Sequence, residues 1–188
     1  MQTSSVRNLP NVLTLARLVL VPVFIWTFVQ STESTGYRWL SALVFLVAAI
    51  TDYVDGYIAR KHNTVTNFGK IADPIADKLL TGSALIGLSL EGTLWWWITI
   101  VILVREIGIT LLRFWVIKRA VIDASRGGKA KTASQITAIV AYLLPSNFLT
   151  HSVAVISMTI ALILTLATGI DYVKKVAALT PRNSSTSK

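Results

Sequence analysis

The 188-residue sequence has no cysteine, which excludes disulfides, thiolate catalysis and sulfur-ligated zinc. Histidine occurs only at His62 and His151, which lack metal-ligand spacing, so both are expected to be ordinary loop residues. No phosphate-binding loop is present, because Gly128-Lys129 is followed by Ala130, and no dinucleotide-binding glycine fingerprint occurs. Charge is scarce at 14% of residues, well below the roughly 25% of ordinary soluble domains. What is abundant is apolar: 53% of the chain, which argues for a membrane protein of one domain. The net charge of +9 is therefore read against membrane topology and lipid headgroups before nucleic acid, which the spread of basic residues does not favour.

Apolar runs lie at about 12–30, 38–60, 72–90, 94–118, 133–150 and 152–173. Each is long enough to cross about 30 Å of hydrocarbon as a helix. The expectation is an all-α integral membrane protein with six transmembrane helices, the last two parted only by the turn PSNFLTH. Pro10 is expected to open a short N-terminal interfacial helix, and the first run to be a retained helix and not a cleaved signal. Residues 1–176 form the expected membrane domain, and 177–188 a polar, disordered tail.

Basic residues set the orientation. Arg7, then Arg60, Lys61 and Lys70, then the group from Lys118 to Lys131, and finally Lys174, Lys175 and Arg182 occupy alternate connections and both ends. The intervening connections hold only Arg38, beside Glu33 and Glu91. By the positive-inside rule both termini face the cytoplasm. Trp95, Trp96 and Trp97 then fall at the outer headgroup level and Trp115 near the inner one.

Against this scarcity of charge, four of the nine acidic residues fall between positions 52 and 77. An ionised Asp at a membrane helix centre costs about 2.5 to 3.5 kcal/mol, so four unpaired ones would cost roughly 10 to 14. Asp52 and Asp55 are three apart, and Asp73 and Asp77 four apart, so each pair shares a helix face. Two facing pairs form an oxygen cage suited to two hard divalent cations, Mg2+ or Mn2+. Gly56, Ala59 and Gly69 keep bulky side chains away from it. An intramembrane carboxylate cluster also suits an ion transporter, although these groups sit at one face, and no paired inverted repeats with broken helices occur.

The stretch TDYVDGYIARKHNTVTNFGKIADPIADK resembles the signature of the CDP-alcohol phosphotransferases, D-x2-D-G-x2-A-R-x8-G-x3-D-x3-D. Asp52, Asp55, Gly56, Ala59, Arg60, Gly69, Asp73 and Asp77 fill every fixed position. PNVLTLAR, residues 10–17, resembles the opening of the same enzymes. The resemblance implies transfer of a phosphatidyl or similar group from a CDP-linked donor to an alcohol, with CMP leaving. It implies that the four aspartates hold the metals, that Asp77 is the general base, and that the assembly is a homodimer. Donor nucleotide-binding residues implied in the same way are Gly56, Ala59, Arg60, Gly69, Asn11 and Thr14, with Arg17 nearby.

The acceptor is read from the remaining cations. Arg105 and Glu106 interrupt the fourth run, Arg113 follows eight residues after Arg105, and SRGGKAKT lies at 125–132. Arg105, Arg113, Arg126, Lys129 and Lys131 are expected to form an acceptor phosphate pocket. Glu106 is expected to pair with a neighbouring Arg, and Lys78 to snorkel to the headgroups. REIGITLLRFW and SRGGKAKT resemble the phosphatidylglycerophosphate synthase branch, which implies CDP-diacylglycerol and glycerol 3-phosphate as substrates at the cytoplasmic membrane. Inositol phosphate is a second phosphorylated acceptor that such a pocket would suit.

Overall fold

A computed structural model describes residues 4–62, 67–116 and 126–179, apart from the side chains of 4–11, 53, 55–62, 67–71, 113, 114, 116, 126 and 179. Among the described residues the chain is all-α, with no strand. The helices are α1 (Ser4–Gln30), α2 (Thr35–His62), α3 (Asn67–Leu90), α4 (Trp96–Val116), α5 (Arg126–Leu143) and α6 (Phe148–Leu179).

Several boundaries differ from the sequence expectation, two of them for a clear local reason. Pro10 does not open a separate short helix; α1 runs unbroken from Ser4, with Pro10 and Pro22 inside it. Proline's fixed φ is itself helical, so α1 accommodates both, each at the cost of one hydrogen bond and of crowding against the carbonyl four residues earlier. The last connection is also shorter, residues 144–147. Pro145 disfavours helical geometry at Leu144, and Asn147 starts α6 through a reciprocal cap. The Thr150 amide donates to Asn147 Oδ1 at 2.8 Å, and the Asn147 amide donates to Thr150 Oγ1 at 2.9 Å. At the end of α3, Gly92 takes φ 75°. Its amide donates to Ser89 O at 3.1 Å and that of Thr93 to Leu88 O at 3.0 Å, a double cap that only an unhindered residue makes at no steric cost.

The helices close into a ring in the order α1, α2, α5, α6, α4, α3, and α3 also reaches across to α2 and α5. That central place explains its small buried face of Ala72, Ala76, Leu80, Ala84, Leu85 and Leu88. Phe24 of α1 stacks near Phe28 and Phe45, with centroids 5.9 and 5.6 Å away. Hydroxyl groups inside the bundle satisfy themselves locally: Thr27 donates to Phe24 O and Ser31 to Phe28 O. Ser89 and Thr99 join α3 to α4 by a buried bond of 2.7 Å.

The outer surface is apolar. Val104, Leu111, Ile163 and the indoles of Trp95 to Trp97 and Trp115 all stand exposed. Water would penalise such a surface and hydrocarbon would not. Val12–Gln30 and Phe148–Ala178 are long and apolar enough to cross a membrane. The all-helical, lipid-suited architecture thus agrees with the sequence.

A tight approach holds α1 to α3. A Cβ added at Gly87 would lie 2.6 Å from Cε1 of the buried Phe28 ring. Gly87→Ala is expected to lower stability by about 1 to 3 kcal/mol through overpacking. Thermal unfolding in detergent measures this, and adding Phe28→Leu to the variant should recover part of the loss.

Candidate active site

Five helices present functional side chains at one end of the bundle. On α1, Thr14 and Arg17 are three residues apart and therefore share a face. Both are buried, and they grip different helices. The Thr14 hydroxyl donates to Asp73 Oδ1 of α3 at 2.5 Å. Arg17 Nη1 lies 2.6 Å from Asp52 Oδ1 of α2, its own side chain fully buried and that of Asp52 40% exposed. One turn of α1 thereby fixes two carboxylates from two helices, with their remaining oxygens near solvent.

The expected nucleotide-site residue Thr14 is thus engaged with Asp73 in this structure. Asn11, Asp55, Gly56, Ala59, Arg60 and Gly69 fall on α1, α2 and α3 as expected, but their side chains lie outside the described residues. Among the described residues no group of three metal-ligating side chains comes together, so the four-aspartate cage is not itself seen. The donor chemistry nevertheless suits a hard divalent cation: Asp52, Asp73 and Asp77 offer only carboxylate oxygen. One oxygen each of Asp73 and Asp77 has no partner among the described residues.

Beside this row lies a charge cluster built on Glu106 of α4, whose side chain is 7% exposed. Lys78 Nζ stands 2.7 Å from Glu106 Oε2 and 2.6 Å from Asp77 Oδ2. Lys131 of α5 donates to Glu106 Oε1. Arg105 Nη1 donates to the same oxygen at 3.1 Å, while its Nη2 donates to Thr168 Oγ1 of α6 at 2.6 Å. Glu106 thus has its expected Arg partner and two lysines besides. Lys78 does not snorkel outward as expected; two carboxylates draw its ammonium inward, because a charge in an apolar bundle needs a counter-charge more than a long stem needs the interface.

Of the expected acceptor pocket, Arg105 and Lys131 are brought together. Lys129, two residues from Lys131 and so about 200° round α5, is exposed. The side chains of Arg113 and Arg126 lie outside the described residues. Gly169 lets Arg105 lie across α6, since a Cβ there would be 3.3 Å from Arg105 Cγ and Nε. The grips by Thr14 and Arg17 and the link through Lys78 were not anticipated. The available signal was the three-residue spacing of Thr14 and Arg17 and the demand for a partner at every charge within an apolar run.

Comparisons with known proteins bear on the family. The family profile described as CDP-alcohol phosphatidyltransferase matches residues 7–167. A Mycobacterium tuberculosis (strain CDC 1551 / Oshkosh) protein named "Probable phosphatidylglycerophosphate synthase" is 49% identical over 171 residues, covering 90% of this chain and 82% of its own length. The Bacillus subtilis (strain 168) protein named "CDP-diacylglycerol--glycerol-3-phosphate 3-phosphatidyltransferase" is 40% identical over 182 residues, covering 89% of this chain and 94% of its own. A protein of the same name from Shigella flexneri serotype 5b is 36% identical over 177 residues, covering 91% and 96%.

Thr168→Val would leave the Arg105 donor without its α6 acceptor. A loss of about 1 to 3 kcal/mol in unfolding free energy is expected. A shift of the thermal midpoint measures it, and Thr168→Ser should largely preserve the wild-type value.

Proposed function

The chain belongs to the CDP-alcohol phosphatidyltransferase family, and we propose that it transfers the phosphatidyl group of CDP-diacylglycerol to glycerol 3-phosphate, releasing CMP. The observation that carries this is a complete eight-residue signature whose described carboxylates stand partly exposed at the shared end of α1, α2 and α3. The names borne by the relatives support the acceptor, and so does the pairing of Arg105 with Lys131 beside Asp77.

In this proposal Asp52, Asp55, Asp73 and Asp77 hold two divalent cations, Mg2+ or Mn2+. When bound, the cations supply charge neutralisation at the pyrophosphate and at the departing CMP phosphate. Thr14 and Arg17 keep Asp73 and Asp52 from turning away. Gly56, Ala59 and Gly69 leave room for the cytidine nucleotide, and Arg60 pairs with its phosphate. Asp77 takes the proton of the acceptor hydroxyl as its oxygen bonds to phosphorus and the bond to CMP breaks. Arg105, Lys131, Arg113 and Arg126 offer the cations for the acceptor phosphate, whereas Lys129 faces away from Lys131 on α5.

The same proposal places all six helices across the cytoplasmic membrane with both termini and the site at the cytoplasmic face. Residues 1–176 make up the membrane domain and 177–188 the tail. The donor's acyl chains then stay in lipid while a soluble acceptor arrives from water, and a homodimer is the assembly expected of the family.

With purified protein, CDP-diacylglycerol and Mg2+, CMP release is expected only when glycerol 3-phosphate is added, and a chelator should abolish it. Dependence on inositol phosphate, inositol or serine would keep the chemistry and overturn the acceptor; metal flux across vesicles without CMP would favour transport. Asp77→Asn is expected to reduce turnover by about 10²-fold or more while donor binding stays measurable. Arg113→Gln should chiefly raise the KM for glycerol 3-phosphate, and an unmoved KM would displace Arg113 from the pocket.

A further inference from the structure

We propose that Glu106 is a positioning residue that sets the orientation of Asp77 through Lys78, joining the acceptor-side cations of α4 and α5 to the carboxylate that takes the proton. It rests on the role proposed above for Asp77. Lys78 directly follows Asp77, and adjacent side chains on a helix diverge by about 100°. The Lys78 ammonium nonetheless stands 2.6 Å from Asp77 Oδ2. The group that draws it there comes from another helix: Glu106 Oε2, at 2.7 Å. An ammonium carries three donors, so it can serve both carboxylates at once.

The two oxygens of Glu106 have separate duties. Oε2 takes Lys78, whereas Oε1 takes Lys131 and Arg105. Side-chain exposure rises from 7% at Glu106 to 24% at Lys78 and 32% at Asp77. The buried end is thus fixed and the solvent end is free to work. Glu106 has no described contact with Asp77, so its effect on that group passes through Lys78. Without the Glu106 charge, the Lys78 ammonium has Asp77 as its remaining carboxylate partner and is no longer held between α3 and α4, so the Asp77 carboxylate loses the contact that fixes its direction. Lys131 and Arg105 lose their common anchor in the same change.

The test is a double-mutant cycle of Glu106→Gln and Lys78→Met in the full-length protein. kcat is measured at saturating glycerol 3-phosphate and expressed per site that binds CDP-diacylglycerol, alongside the thermal midpoint. Glu106→Gln is expected to lower kcat about tenfold or more with donor affinity within about twofold, and the double variant to be little worse than the worse single variant. An unchanged kcat per donor-binding site, even with a lowered midpoint, would show a purely structural residue and overturn the proposal. Additive effects of the two substitutions would overturn it as well. If Glu106→Gln does not bind donor, Glu106→Asp enters the cycle under the same criteria, because the shortened carboxylate cannot span α3 and α5 together. Activity retained in Asp77→Asn would instead refute the role of Asp77, which the cycle between positions 106 and 78 does not measure.

Discussion

Every charge inside this bundle needs a counter-charge within reach, and that constraint organises the architecture around Glu106. A carboxylate taken from water loses hydration that Coulomb attraction restores only when geometry is close and all lone pairs are used. Glu106 meets the condition with three cations from α3, α4 and α5. Arg105 extends the set to α6 through Thr168. Four helices are therefore tied at one level by a single acidic side chain. The three cations outnumber Glu106 and Asp77 together, and the positive charge left over suits a site that must receive an anion.

The two ends of the bundle solve the same problem differently. At the end away from the aspartates, Arg38 donates to Glu91 Oε2 at 3.3 Å and to the carbonyl of Tyr142 at 3.4 Å. There a lone pair and a helix C-terminus suffice, joining α2, α3 and α5 with no charge to spare. At the aspartate end α1 contributes a neutral hydroxyl to one carboxylate and a guanidinium to another. The supports are unequal, a neutral hydroxyl at Asp73 and a cation at Asp52. One end closes the ring, while the other keeps acidic oxygens accessible.

Much of the fold was legible in the sequence because apolar length is a one-dimensional signal. Six runs gave six helices, and most boundaries moved by a few residues. Two segments were misjudged because hydropathy does not decide them: Pro10, tolerated inside α1, and Asn147, whose side-chain cap starts α6 four residues earlier than the apolar run suggests. The aspartates were legible for a similar reason, since their spacing is fixed along one chain segment. Lys78 was not. Its direction depends on Glu106, 28 positions later, and no local pattern in DKLL reveals a partner on another helix. Likewise Lys129 and Lys131 read alike in sequence, yet the turn of α5 exposes one and buries the other.

The order of residues around Glu106 also bears on how such a chain is made. Lys78 precedes Glu106 in synthesis and Arg105 is its neighbour, so the carboxylate has compensating charge available as soon as α4 leaves the ribosome. Lys131 and Thr168 come later in the chain and complete the set around Glu106 and Arg105. Because α4 touches α6 but α1 does not, closing the ring waits for the last helix. Arg105 and Lys131 therefore gain their full set of partners only once α5 and α6 are in place.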